Sequence, residues 1–268
     1  MIPRAHITAW RSAAPWVTDA QVEQDLVICR ALVELYRDEL LANELAFRGG
    51  TALQKLHFEP PARYSEDIDL VQVRPGPIGR VLQALRARLD PWLGAPSWKQ
   101  GPTTTAFVYR FESEAMPVTP LKLKVEINTR EHFNARALRH HPFAVRSPWF
   151  HGEALLLTYC AEELLGTKMR ALYQRKKGRD LFDLSESLTR IQGVEPRSIV
   201  DCFQSYLGHD GLRVTRAQFE QNLAAKIDDA VFLLDVPPLL AQGISYDPRR
   251  ALDLVRRTLV DRLPDSAR

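Results

Sequence analysis

The chain has little cysteine and little methionine, three of each in 268 residues. Cys29, Cys160 and Cys202 are an odd set, far apart, with no C-x-x-C pair, so neither a disulfide framework nor a thiolate zinc site is expected. Each stands among apolar residues at helical spacing and is expected to be a small buried hydrophobe, which suits a reducing cytoplasm. No run approaches the roughly 18 apolar residues that a spanning helix needs, so no membrane partner is expected. The opening MIPRAHITAWRSAAPW lacks a continuous apolar segment and is not expected to act as a signal peptide. There is no internal repeat and no low-complexity stretch. Charge is nearly balanced, at a net +3. That leaves a nucleic-acid partner open, because a local basic patch matters more than the total.

What remains is the composition of an ordinary globular protein, 45% apolar and 26% charged, of a length that allows one or two domains. Residues 1–18 have no periodicity and are expected to lie loosely on the surface. Thr18 to Gln21 forms a T-x-x-Q capping box. After it, Val22, Leu26, Cys29, Val33, Tyr36 and Leu40 recur at helical spacing, which predicts one long helix or two over 19–45. A short apolar piece, Leu45 to Phe47, leads into Gly49-Gly50, and a helix is predicted from Thr51 to about His57. Strands are predicted at 67–73, 104–112 and 121–128, with a short one at 143–145, and a helix over 81–89. From Glu153 onward the pattern is helical: 153–175, 180–191, 196–207, 215–227 and 248–262. The fold class is therefore α+β. A mixed-sheet core with flanking helices occupies residues 1–150 and an α-helical region occupies 151–268, with HHPFAVRSPWF at the seam and no flexible linker.

Two features in FRGGTALQKLHFEPPARYSEDIDLV carry chemistry. Gly49 and Gly50 permit close backbone approach, and a helix beginning just after them presents free N–H groups to an anion. A plain strand-to-helix turn would look the same. Asp67 and Asp69 stand two apart on a predicted strand and so point to one side. Two like charges on one face repel unless a cation sits between them, and a divalent metal is the natural one. Two exposed acids on an edge strand are the plainer alternative. A third acid for a two-metal site would be Glu126, which shares a face of LKLKVEIN with Lys122 and Lys124. It could equally be a strand acid paired with a lysine.

The stretch EELLGTKMRALYQRKKGRDLFDL crowds Lys168, Arg170, Arg175, Lys176, Lys177 and Arg179 together, followed by Asp180 and Asp183 on one helix face. Lys168 on triphosphate oxygens, with Arg179 and Asp180 ordering the site, is one reading. A basic track for a nucleic-acid backbone is another, and a solvated basic turn is a third.

These motifs, G-G-T-A-L, R-x-S-x-D-I-D-L, K-V-E-I and K-x-R-A-L-x-x-R…R-D-L-x-D-L, in this order over about residues 47–184, resemble the AbiEii family of nucleotidyltransferase-like toxins. The D-x-D block is shared with the wider polymerase-β-like superfamily, and the RDLFDL block is more specific. The resemblance implies a nucleotidyltransferase-type mixed sheet followed by a helical region. It also implies a nucleoside triphosphate with Mg²⁺, and transfer of a nucleotide to RNA, in some members to the 3′ end of tRNA, which blocks translation. It implies a cognate antitoxin encoded nearby, with or without stable contact, and a cytoplasmic setting. By motif match, Gly49, Gly50, Thr51, Ser65, Lys168 and Arg179 would hold the nucleotide. Asp67, Asp69, Lys168 and Asp180 would be catalytic, and Asp67, Asp69 and Glu126 would hold metal. Glu126 departs from the pattern, where Asp is expected. Two other readings stand beside this one. One is nucleotidylation of a protein or of a small molecule such as an aminoglycoside. The other is an inactive core that only binds nucleotide or RNA. The helices after 190 carry no assignable motif.

Overall fold

The computed structural model describes residues 2–266. Backbone contacts divide the chain into two units, residues 1–134 with 138–159, and residues 135–137 with 160–268.

The first unit begins with α1 (Arg4–Trp10), not with a loose strand of chain. The reason is a buried acid inside α2 (Asp19–Tyr36). The Asp25 carboxylate accepts the indole N–H groups of Trp10 at 2.9 Å and Trp16 at 3.0 Å, and Lys55 completes the cluster as its ion-pair partner. Three long-range partners on one carboxylate fix a segment that has no pattern of its own. α2 starts at the expected capping box of Thr18 and Gln21 and buries Val22, Leu26, Cys29, Val33 and Tyr36. The helical run then breaks, because Asp38 caps a separate α3 (Glu39–Glu44) by accepting from Leu40 and Leu41 N–H.

Next come β1 (Leu45–Arg48), α4 (Gly49–His57), β2 (Asp67–Gln72), α5 (Gly79–Leu93), β3 (Ser97–Gln100), β4 (Thr104–Glu112), β5 (Pro120–Asn128), β6 (Arg139–Arg146) and β7 (His151–Thr158). The seven strands form one mixed sheet in the order β3-β4-β5-β2-β1-β7-β6. β2 lies parallel to β5 and antiparallel to β1, so the strand carrying Asp67 and Asp69 is central. Alternation is clean in β5: Leu121, Leu123, Val125 and Ile127 are buried, and the residues between them are not.

One predicted element is corrected. Residues 151–158 are a strand, although GEALLL favours a helix by composition. Pairing overrides that preference: β7 matches β6 over its whole length and joins β1 at Phe47, where the Thr158 hydroxyl donates to the Phe47 carbonyl at 2.7 Å.

The second unit is helical: α6 (Ala161–Gln174), α7 (Gly178–Arg190), α8 (Pro196–His209), α9 (Arg216–Ile227), α10 (Ala230–Leu234) and α11 (Pro248–Thr258). Its core includes Leu165, Met169, Leu172, Phe182, Phe203 and Phe219. α6 and α8 meet at Gly166, where a Cβ would lie 2.6 Å from that of Cys202. The buried Glu163 carboxylate accepts from the N–H groups of Ala135 (2.6 Å) and Arg136 (3.0 Å) and from the Tyr206 hydroxyl (2.9 Å). Those bonds place residues 135–137 in this unit.

Candidate active site

In the first unit the turn between β1 and α4 and the start of β2 are built against each other. α4 begins at Gly49, two residues earlier than predicted. Gly49 has φ +85°, and the Asp69 Oδ2 atom occupies the space where a Cβ at position 49 would go. Only glycine permits both. No side chain caps the start of α4. Helix-start N–H groups left uncapped suit an anion.

Thr51 is buried, and its hydroxyl bonds the Ser65 hydroxyl at 2.8 Å and donates to the Asp67 carbonyl. These two residues therefore hold the turn to the first residue of β2. Arg63 stands in the R-x-S-x-D spacing, but its role is not legible there. The side chain is almost wholly buried, with Nη1 donating to the Tyr64 carbonyl at 2.9 Å and Nη2 lying where a Cβ at Gly50 would be. Gln54 accepts from the N–H groups of Ala62 and Arg63, which fastens the 62–63 turn to α4. A side chain at position 50 would therefore have to displace a buried guanidinium.

Asp67 and Asp69 are both half-buried on one side of β2. Burial pushes the Asp67 carboxyl up to about 6, Asp69 and Glu66 push the same way, and Lys124 and Lys122 oppose them. The chemistry of two close carboxylates at a half-exposed position fits a hard divalent cation. Glu126 stands opposite Asp69 in the parallel register, yet its carboxylate is engaged by Lys124 Nζ at 2.6 Å. Among the described residues, no three His, Cys, Asp or Glu side chains are grouped to hold a metal. Arg48 borders the site opposite Asp69 and is ion-paired with Glu131, and neither residue stands out in the sequence.

In the second unit the expected residues Lys168, Asp180 and Arg179 lie in networks. Lys168 Nζ is 3.1 Å from Asp180 Oδ1 and 2.8 Å from Asp183 Oδ2, and all three side chains are buried. Arg175 forks onto Asp180 at 2.7 and 2.8 Å. Burial alone would raise the Asp180 carboxyl, but Lys168 and Arg175 outweigh it and hold the group below the usual range. Arg179 forks onto Asp235 at 3.0 and 2.9 Å, and Lys176 pairs with Asp229 at 2.8 Å. The basic run is therefore largely matched by acids from later in the chain. Gly178, at the start of α7, allows close approach of the Phe232 carbonyl.

No curated protein sequence matches the chain. Among solved structures, MenT4, a nucleotidyltransferase toxin from Mycobacterium tuberculosis, superposes with a TM-score of 0.59 at 16% identity, over 97% of each chain. A nucleotidyltransferase-like protein from Paracoccidioides brasiliensis has a TM-score of 0.42 at 18% identity, over 81% of this chain and 98% of that one. The MenT4 likeness shows the fold, a mixed sheet with flanking helices. The family described as nucleotidyl transferase AbiEii toxin, type IV toxin–antitoxin system, matches residues 30–253, and with that span covered the chain belongs to the AbiEii nucleotidyltransferase toxin family.

Proposed function

We propose that the protein is a Mg²⁺-dependent toxin that transfers a nucleoside monophosphate from a nucleoside triphosphate to an RNA acceptor, the 3′ end of tRNA, and thereby blocks translation. The observation that carries this reading is the Asp67–Asp69 pair, two carboxylates on one half-exposed face of β2, with the uncapped start of α4 packed against Asp69. One end of that arrangement suits a phosphate and the other suits a metal. In the reaction, the acceptor hydroxyl oxygen bonds the α-phosphorus and the bond from that phosphorus to the α–β bridging oxygen breaks. Pyrophosphate leaves with the electron pair, and the hydroxyl proton passes to solvent. Asp67 and Asp69 would hold the metal, which supplies charge neutralisation at the phosphates. The chain's own contribution is positioning, through Gly49 and Gly50 at the turn and Thr51 and Ser65 behind it. Glu126 would share its carboxylate between the metal and Lys124, which holds one of its two oxygens.

Participation of Lys168, Asp180 and Arg179 in binding the nucleotide is part of the proposal and rests on their place in the family's later motif. Family membership also implies a cognate antitoxin, and a cytoplasmic setting follows from an RNA target. The test is incubation of the purified protein with each labelled nucleoside triphosphate, Mg²⁺ and total tRNA. Label on the tRNA 3′ end is expected. Absence of incorporation with all four, from protein shown to be folded, overturns the reading, and label confined to protein bands replaces RNA with a protein acceptor.

A further inference from the structure

Arg48 ends β1 opposite Asp69 in the antiparallel register, and Glu126 lies opposite Asp69 in the parallel one. Directly opposed residues of a sheet share a face, so Arg48 stands with the acids. It is also the residue before Gly49, at the N-cap position of α4, where no side chain accepts a helix N–H. A guanidinium carries only donors. At this position it leaves the first turn of α4 uncapped and adds its own N–H groups beside it. A cation at the positive end of a helix is unfavourable, and an anion joining the two reverses the sign.

The Arg48 guanidinium is only partly engaged. Its Nη1 is ion-paired with Glu131, and the side chain is 21% exposed. Nε and Nη2 make no hydrogen bond among the described residues. In Arg175 and Arg179 the same Nε and Nη2 edge forks onto one carboxylate, Asp180 or Asp235. Lys168 lies between two buried acids, and Lys124 is taken by Glu126. Arg48 therefore differs from these cations in keeping a two-donor edge open. Glu131 is fixed from the loop after β5: the Asn128 side chain accepts from the N–H groups of Arg130 (2.9 Å) and Glu131 (2.8 Å).

Around Asp69 the acids outnumber the cations, with Asp67, Asp69, Glu126 and Glu131 against Arg48 and Lys124. The face as a whole does not select an anion. What selects one is local, a planar pair of open donors next to a helix start, and that pair matches two oxygens of one phosphate.

We propose that Arg48 is a phosphate ligand of the nucleoside triphosphate, with Nε and Nη2 on two oxygens of one phosphate beside the first turn of α4, while Glu131 holds the guanidinium on the face of the acids. The inference rests on the transfer reading for the identity of the ligand, though not for the binding of a polyphosphate.

The test uses the full chain and inorganic tripolyphosphate with Mg²⁺, a probe that carries three linked phosphates and no base. Affinity is measured by calorimetry for the parent, Arg48→Gln, Arg48→Lys and Glu131→Gln, and for Arg146→Gln on β6 as a control for the loss of one charge. Thermal midpoints are read on the same preparations, and Arg48→Lys keeps the charge should Arg48→Gln fail to fold. Arg48→Gln is expected to bind about tenfold or more weakly. Arg48→Lys should recover part of that loss, since a lysine supplies charge without the two-donor edge. Glu131→Gln keeps an acceptor for Nη1 and removes a competing charge, so it should bind no more weakly than the parent and up to about fivefold more tightly. Arg146→Gln should bind like the parent. In the transfer assay Arg48→Gln should show a raised KM for the nucleoside triphosphate at an unchanged KM for RNA.

No tripolyphosphate binding by the parent, or equal binding by parent and Arg48→Gln, overturns the proposal. So does a loss in Glu131→Gln as large as that in Arg48→Gln, the mark of an ion pair that only holds structure. If the parent binds tripolyphosphate through Arg48 yet incorporates no label with any of the four nucleotides, the transfer reading falls and Arg48 stands as a polyphosphate ligand. If Arg48→Gln labels RNA at an unchanged KM for the nucleotide, the role of Arg48 falls and the transfer reading stands.

Discussion

Each unit holds two acids close together, and the protein buries one pair around a lysine and leaves the other half-exposed. Asp180 and Asp183 of the helical unit are fully buried, but Lys168 lies between them and Arg175 forks onto the first, so their negative charge is met from within the chain. Asp67 and Asp69 of the sheet unit are half-buried on one face of β2; burial, with Asp69 and Glu66 adding, raises Asp67, and Lys124 and Lys122 only partly oppose it. Burying a charge requires a partner supplied in advance. A half-exposed pair can be reached by a cation brought from outside. The contrast separates a cluster closed around its own cation from one open to solvent.

Substitutions in the two clusters should behave oppositely, and the largest effect is expected at the half-exposed pair. Asp69→Asn should reduce nucleotide incorporation by about 10²-fold or more, on the scale of losing a group that stabilises transition-state charge. Its thermal midpoint should not fall, because the repulsion on Asp67 is relieved. Turnover and calorimetry on the same preparation check this, and incorporation near the parent rate would break the contrast. Lys168→Ala should instead lose about 3–5 kcal/mol of stability in urea unfolding, since it removes the cation that lies between two buried carboxylates. A Lys168→Ala protein that unfolds like the parent yet fails to transfer would leave Lys168 its proposed role at the nucleotide and none in stability.

The contrast is only half legible in the sequence. The D-x-D spacing on an alternating strand places two acids on one side whatever the rest of the fold does, so Asp67 and Asp69 can be read directly. The glycines can be read as a close approach, but not that Asp69 fills the space beside Gly49 or that Arg63 fills the one beside Gly50. Those facts depend on how β2 pairs with β1 and on the folding back of residues 62–65. The basic run invites a phosphate reading because its acids, Asp229 and Asp235, come from much later in the chain. α1 escapes notice because the force that orders it is one buried carboxylate in α2, and β7 does so because local preference points to a helix, whereas pairing with the preceding β6 and the distant β1 decides the outcome. Periodicity reports burial along one element, whereas ion pairs and strand partners are set by tertiary neighbours.

A third acid sharpens the contrast further. Glu23, in α2, is fully buried; its Oε2 accepts from the Glu114 N–H at 2.9 Å, while Oε1 has no hydrogen-bond partner among the described residues. Burial, with Asp19 adding, pushes its carboxyl from the ordinary 4.5 up to about 7. Asp67 can be relieved by a cation reaching its half-exposed face, but Glu23 can be relieved only by a proton. The sign follows: between about 4.5 and 7 the folded chain holds a proton that the unfolded chain releases, so stability falls as pH rises through that window and levels off above it. Glu23→Gln removes the titration while keeping an acceptor for Glu114. The variant should exceed the parent by about 2 kcal/mol at pH 8 and by little below pH 4.5, since each tenfold gain in proton affinity corresponds to about 1.4 kcal/mol and part of that gain is expected to relax. Urea unfolding of both proteins at the two pH values measures the difference. Added Mg²⁺ should leave that difference unchanged, because the cation has no path to a carboxyl that water does not reach; a Mg²⁺-dependent difference would place Glu23 with Asp67 rather than apart from it.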